Sequence, residues 1–339
     1  KMKSKVLPIE MPWSCTYLVP ASEFAVMQSY ENSRNRILNR FMQTRMFEDI
    51  VSGESYDVGF SMITEPFTES PHFYTSVIPS KFQYIIGDLV DFIMTCIDND
   101  TYVYIHRYID EFYLSDSRYY NSFKMMHMFI FYGYDADRRV LYTIGYNKKA
   151  IFSKLEIPFD EFEKSIDYTE DKDGKYITLI KHNNDRDEKL NLYDVRFWLD
   201  QYLNSKNSYA TMRGVNNEQA MSEKLIYGIK TYDYLTMYLY YIISGRISLD
   251  NIDTRPFRQL YEHKLIMMER LTALAENKLI DPIFKEQYEP VVKNAMILHN
   301  SQIKFNLTEN VNIITGMFER VKKLAETENN ILMKLYGEM

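Results

Sequence analysis

Two cysteines and six histidines supply every thiol and imidazole in the 339-residue chain, so covalent or general-base chemistry has few places to sit. Cys15 lies in PWSCTYLVP, after a proline-containing extended stretch and just before the first helical pattern. A cysteine at a helix N-terminus has its thiolate favoured by the helix dipole and the free N–H groups. An inert buried cysteine is the ordinary fate of the residue type, and Pro20 blurs where this helix begins. Cys96 closes the apolar run DFIMTC before the turn Asp98-Asn99-Asp100, and reads as a packed structural thiol.

His127 stands inside KMMHMFIFYGY, the most apolar strand-like run of the chain. Burying a titratable imidazole costs desolvation, and a functional role is one reason to accept that cost; a core histidine satisfied by a backbone carbonyl is the other. The run 125–134, the polar DADRR and VLYTIGYN at 140–147 predict a β-hairpin. A turn centred near residue 137 sets His127 opposite Tyr146 or Asn147, and directly opposed residues project to the same face. Asn147 is therefore the residue expected to orient the imidazole, with Asp135 as the alternative. Cysteine first, then histidine, then asparagine one hairpin later is the order of papain-like enzymes.

The remaining candidates are weaker. His106 falls in an alternating strand, and His72, His182, His263 and His299 lack metal-ligand spacing. Arg255, His263 and Lys264 cluster in the helical half; they could meet a phosphate, though a solvated helix face explains them as well. There is no G-x-G-x-x-G, P-loop or H-E-x-x-H, so nucleotide use and zinc catalysis have no support. The expectation is no cofactor and no metal.

The elements that must position these residues divide the chain. Short apolar runs alternate with turn signals up to about residue 165, where TYVYIHRYI at 101–109 alternates as a half-buried strand should. Ser22 to about Phe47 reads as one or two helices, PFDEFEKSI at 158–166 as a short helix, and Tyr176 to His182 as an edge hairpin. From Tyr193 the pattern is helical, and Leu260, Lys264, Met267, Leu271 and Leu274 mark a stripe with one charged exception. The expected fold class is α+β: a domain over 1–190 with an antiparallel sheet and helices, then an all-helical domain over 191–339.

With 46% hydrophobic and 26% charged residues, the chain can bury a real core. A formal net charge of -7 argues against a nucleic-acid partner held by phosphate contacts. Two cysteines cannot build a disulfide framework, and the opening KMKSKVLPIEMPW has no signal-peptide character. With no run of about 18 apolar residues, no membrane partner is expected, and the location predicted is the cytoplasm.

Cys15, ILNRFMQ at 37–43, MHMFIFYGYD at 126–135 and RPFRQLYEHKLIMMERL together resemble one family. It is the papain-fold acyltransferases and amide synthetases of thiotemplated natural-product biosynthesis, the family of the butirosin acyltransferase and the closthioamide amide synthetase. The resemblance covers most of the chain, and its most specific element is the histidine strand ending in Tyr-Gly-Tyr-Asp. It implies a papain-like fold for 1–190 and a cysteine that takes an acyl group from a carrier-protein phosphopantetheine thioester. A small amine then attacks the acyl-enzyme and forms an amide without ATP. The partners implied are an acyl or peptidyl carrier protein and the amine. The chain departs from the pattern at Gly145, where the family often carries an acidic residue. In PIEMPWSC it lacks the glutamine that papain-like enzymes use in the oxyanion hole, which leaves the Cys15 backbone N–H as a donor. An inactive papain-like binding protein and a thioester or peptide hydrolase are the competing readings.

Overall fold

A computed structural model describes residues 3–50, 58–167, 174–208, 224–249 and 252–339. In chain order the elements are β1 (Ser4–Val6), α1 (Leu18–Gln28), α2 (Glu31–Arg40), β2 (Thr44–Phe47), β3 (Ser61–Met62), β4 (Phe73–Pro79), α3 (Leu89–Asp98), β5 (Thr101–Asp110), β6 (Met126–Asp135) and β7 (Val140–Tyr146). There follow β8 (Phe152–Pro158), α4 (Phe159–Ser165), β9 (Tyr176–His182), α5 (Leu192–Leu203), β10 (Leu225–Tyr227), α6 (Thr231–Ile243), α7 (Pro256–Glu276), α8 (Ile283–Thr308) and α9 (Val311–Glu338). The fold is α+β, an antiparallel sheet with helices followed by a helical region. No helix among the described residues is long and apolar enough to cross a membrane.

The chain forms two compact units. The first comprises Lys1–Arg34 and Glu65–Glu188, the second Asn35–Thr64 and Lys189–Met339. The exit from the first unit thus falls close to residue 190, but residues 35–64 belong with the helical part rather than with 1–190.

In the first unit a seven-stranded antiparallel sheet runs β4-β9-β5-β6-β7-β8, with β1 also paired to β6. The nearly continuous apolar character of β6 follows from its place: β5 and then β1 flank one side and β7 the other, and residues buried on both faces need no polar alternation. Gly133 sits where this crowding is greatest. A Cβ there would lie 2.9 Å from the Lys5 carbonyl oxygen and 2.9 Å from the Tyr142 ring, so only glycine fits. Residues 176–182 are an interior strand between β4 and β5 rather than an edge hairpin. Helices α1 and α3 pack on β6, and α3 and α4 on β5; α3 starts at Asp88, whose carboxylate accepts the Asp91 N–H at 2.8 Å.

The second unit is not wholly helical. β10 pairs with β2, and β2 with β3, in a small antiparallel sheet, so Leu225–Tyr227 is strand where the periodicity read as helix. Gly228, next in sequence, has φ +57° and backs onto the Tyr202 carbonyl, 2.1 Å from where a Cβ would stand; both facts demand glycine. The helices close over one hydrophobic core that includes Phe257, Leu271, Leu298 and Leu332.

At the centre of that core lies a buried polar cluster. Lys264 on α7 and Glu328 on α9 are both fully buried, with Nζ 2.8 Å from each carboxylate oxygen. Lys264 also donates to the Tyr202 hydroxyl at 3.1 Å and to His263 Nδ1 at 2.9 Å. The hydroxyls of Tyr202 (α5, 3.1 Å), Tyr232 (α6, 2.6 Å) and Tyr288 (α8) donate to Glu328. Every helix from α5 to α9 thus contributes to the set. His263 Nε2–H donates to the Met42 carbonyl at 2.8 Å, which leaves Nδ1 as the acceptor and fixes the neutral tautomer. Burial and the neighbouring ammonium hold that imidazole well below its ordinary range. The reading of His263 and Lys264 as a solvated face or a phosphate site is therefore corrected: both are buried and engaged, while Arg255 pairs with Asp253 at 2.8 Å.

Candidate active site

Cys15 is half-buried and lies two residues before Tyr17, the N-cap of α1. The chain leading to it has little regular structure of its own, so its backbone groups are satisfied by other elements. Tyr102 of β5 donates its hydroxyl to the Pro8 carbonyl, and Lys154 of β8 donates to Ile9 O at 3.1 Å. Gln28, at the end of α1, accepts the Trp13 N–H at 2.8 Å and donates to Met11 O at 3.4 Å. Tyr146, the last residue of β7, donates its hydroxyl to the carbonyl of Cys15 at 2.5 Å. Four elements of the first unit thus fasten the segment that presents the thiol.

His127 is near the start of β6, and its strand partner is Ile109 of β5. Between Ile105 and Ile109 the register slips: four residues of β5 are spanned by two of β6, and Arg107 takes φ +60° within the slip. Such a bulge bends a strand and re-aims the residues beyond it. Glu111, immediately past the end of β5, donates its N–H to Met125 O at 2.9 Å and sets its buried carboxylate on His127 Nδ1. Ser117 donates its hydroxyl to the other carboxylate oxygen. Asp110 supports the same turn, accepting the N–H groups of Phe112 and Met125 at 3.1 Å each. The His127 side chain is 28% exposed and that of Glu111 7%. A carboxylate on Nδ1 orients the ring and leaves the Nε2 lone pair for proton transfer.

The assignment of the orienting role to Asn147 is corrected by this arrangement. In β6–β7 the pairs Asp135↔Val140 and Gly133↔Tyr142 give way, across a bulge at Tyr132, to Phe131↔Thr143, the register counted from the turn, so the strand pairing stands and the side-chain contact is what fails. Asn147 lies past the end of β7, where its side-chain oxygen accepts the N–H groups of Lys149 (3.0 Å) and Ile151 (3.1 Å); it closes the turn into β8. Asp135 caps the hairpin turn through the Arg138 N–H at 2.9 Å. Neither touches the imidazole; Glu111 does, and the clue to it in the sequence was the acidic pair Asp110-Glu111 at the end of the strand TYVYIHRYI.

Cys15 and His127 belong to one unit, and a small cavity there is lined by residues that hold each of them. Its walls include Tyr146, which holds the Cys15 carbonyl, Glu111, which holds His127, and Ser117, which holds Glu111, with Phe129, Leu155 and Ile157 supplying apolar surface and Asp116, Glu156 and Glu161 carboxylates. His127 and Tyr146 also mark the same end of antiparallel neighbours β6 and β7. Cys96 stands apart on α3, and burial pushes its thiol up to about 11. At pH 8 about one Cys96 in a thousand is then thiolate, the reactive form. Iodoacetamide at pH 8 should label Cys15 and leave Cys96 intact, as read by peptide mapping; equal labelling would contradict the contrast. Among the described residues no group of three or more histidine, cysteine or acidic side chains is arranged to hold a metal. No protein-family model matches the chain, and no curated protein does so either.

Proposed function

We propose that the chain is a cysteine-dependent acyltransferase of papain-like type, forming an amide from a carrier-bound acyl thioester and an amine. The observation that carries this reading is the imidazole of His127 held at Nδ1 by buried Glu111, beside a cavity whose wall also fastens the Cys15 segment. In the first step the Cys15 thiolate attacks the thioester carbonyl. The acyl group moves to Sγ, and the departing pantetheine sulfur takes the proton that His127 had drawn from the thiol. In the second step the amine attacks the acyl-enzyme carbonyl, His127 Nε2 accepts its proton, and the Cys15–acyl bond breaks. Thioester exchange is nearly isoenergetic and amide formation runs downhill, so no ATP is needed.

The test is intact-mass analysis after incubation with an acyl-pantetheine thioester, with and without an amine. The expected result is a one-acyl mass gain on Cys15 that an amine discharges as an amide. No gain on the wild type, or the same gain on Cys15→Ala, would refute it; discharge by water alone would make the protein a hydrolase.

A further inference from the structure

Tyr146 has no part in the chemistry just described, yet its hydroxyl lies 2.5 Å from the carbonyl of Cys15. We infer that Tyr146 is a positioning residue, which fixes the peptide plane after Cys15 and thereby the direction in which the thiol faces the histidine; this rests on the reading of Cys15 as the nucleophile. A peptide unit is planar, so holding one carbonyl oxygen fixes the orientation of the whole Cys15–Thr16 unit. That unit sits between an extended segment and the N-cap of α1 at Tyr17. The upstream straps act on Pro8, Ile9, Met11 and Trp13. Tyr146 acts on the nucleophilic residue itself.

The tyrosine is well built for this. Its ring packs edge-on against Phe152, with centroids 5.2 Å apart, across the β7–β8 pair Tyr146↔Phe152. It is anchored in the central sheet, in the strand beside the one that carries His127. The same ring lines the cavity together with Glu111 and Ser117. One residue therefore references the nucleophile's backbone to the frame that holds the base. A displacement of about 1 Å between reacting groups can cost on the order of 10²-fold in rate, so loss of one such reference is measurable.

The experiment compares wild type, Tyr146→Phe and Phe152→Leu by the pH profile of iodoacetamide alkylation at Cys15. Tyr146→Phe keeps the ring and removes the hydroxyl. It should slow alkylation at pH 6 to 7 by about 10-fold or more, with little change near pH 10, where an ordinary thiol is ionised whatever its orientation. Its thermal midpoint should stay close to that of wild type. Phe152→Leu loosens the ring packing but keeps the hydrogen bond, so its profile should keep the wild-type shape. A Tyr146→Phe profile that superimposes on wild type overturns the inference while leaving Cys15 as nucleophile. A parallel loss at all pH values also overturns it, because a merely structural defect would give that. A wild-type profile with no enhanced reactivity at pH 6 to 7 would instead refute the nucleophile itself, and the positioning role with it.

Discussion

Lys264→Met is expected to destabilise the helical unit by about 3–5 kcal/mol, because it leaves the Glu328 carboxylate uncompensated in a dry core. Both side chains are fully buried, so water cannot replace the missing partner. Glu328→Gln should cost a comparable amount, since it strands the ammonium and puts an NH2 donor in place of one of the two oxygens that accept the three tyrosine hydroxyls. Replacing the pair together by Met and Leu should not restore wild-type stability. The hydroxyls of Tyr202, Tyr232 and Tyr288 would then lack their acceptor, at about 1–3 kcal/mol for each one left unsatisfied. Burial pulls Lys264 below the ordinary lysine range, against the opposing pull of Glu328. A lysine so depressed loses stability as pH falls from its unfolded titration range toward its folded one, and neighbouring Glu328 limits that loss. Urea unfolding of the three variants decides the matter. A Lys264→Met midpoint within about 1 kcal/mol of wild type would mean that the cluster is reached by solvent or can repack.

That cluster also marks the limit of what could be read from the sequence. Leu260, Lys264, Met267, Leu271 and Leu274 form a stripe that does face the core, and Lys264 stood out in it as a charge on the wrong face. Its partner was hidden because Glu328 occupies an equivalent place in another stripe, Ile314, Met317, Val321, Leu324, Ile331 and Leu335. Two misplaced charges 64 residues apart explain one another, but spacing along one helix cannot show which helices meet. The strand at Leu225–Tyr227 escaped notice for a related reason. Three residues are too few for periodicity to speak, and their pairing with β2 is non-local.

In the first unit the hairpin was legible because its signal is local: two apolar runs and a polar turn of the right length. Beyond the bulge at Tyr132 the pair Phe131↔Thr143 keeps the register counted from the turn; the bulge across His106 to Tyr108 in β5, which precedes Glu111, is what no count along the hairpin could foresee. The nearby short polar residue thus looked like the histidine's partner, whereas the carboxylate arrives from the far side, along β5.

The consequence is a sharp contrast between two substitutions. Glu111→Gln should lower acyl transfer by about 10²–10⁴-fold, the range that a positioned general base contributes. Glutamine keeps the volume and can still hydrogen-bond the ring, but it removes the negative charge beside the imidazole. It can also present its amide N–H to Nδ1 and so select the wrong tautomer. Ser117 donates to the opposite oxygen, so Ser117→Ala should show a smaller loss of the same kind, with the carboxylate retained but less firmly held. Asn147→Ala removes the acceptor for Lys149 and Ile151 N–H and a donor to the Ser153 hydroxyl, all in the turn into β8, and transfer should remain within about 3-fold of wild type, as surface changes away from a site usually do. Initial rates with a saturating thioester donor, beside thermal midpoints to confirm folding, separate the possibilities. Full activity in Glu111→Gln would remove the carboxylate from the mechanism; a loss of about 10²-fold in Asn147→Ala with an unchanged midpoint would return the orienting role to the asparagine. The direction of the first result follows from burial: a carboxylate 7% exposed interacts with the imidazolium through little water, so the charge that glutamine removes is poorly screened.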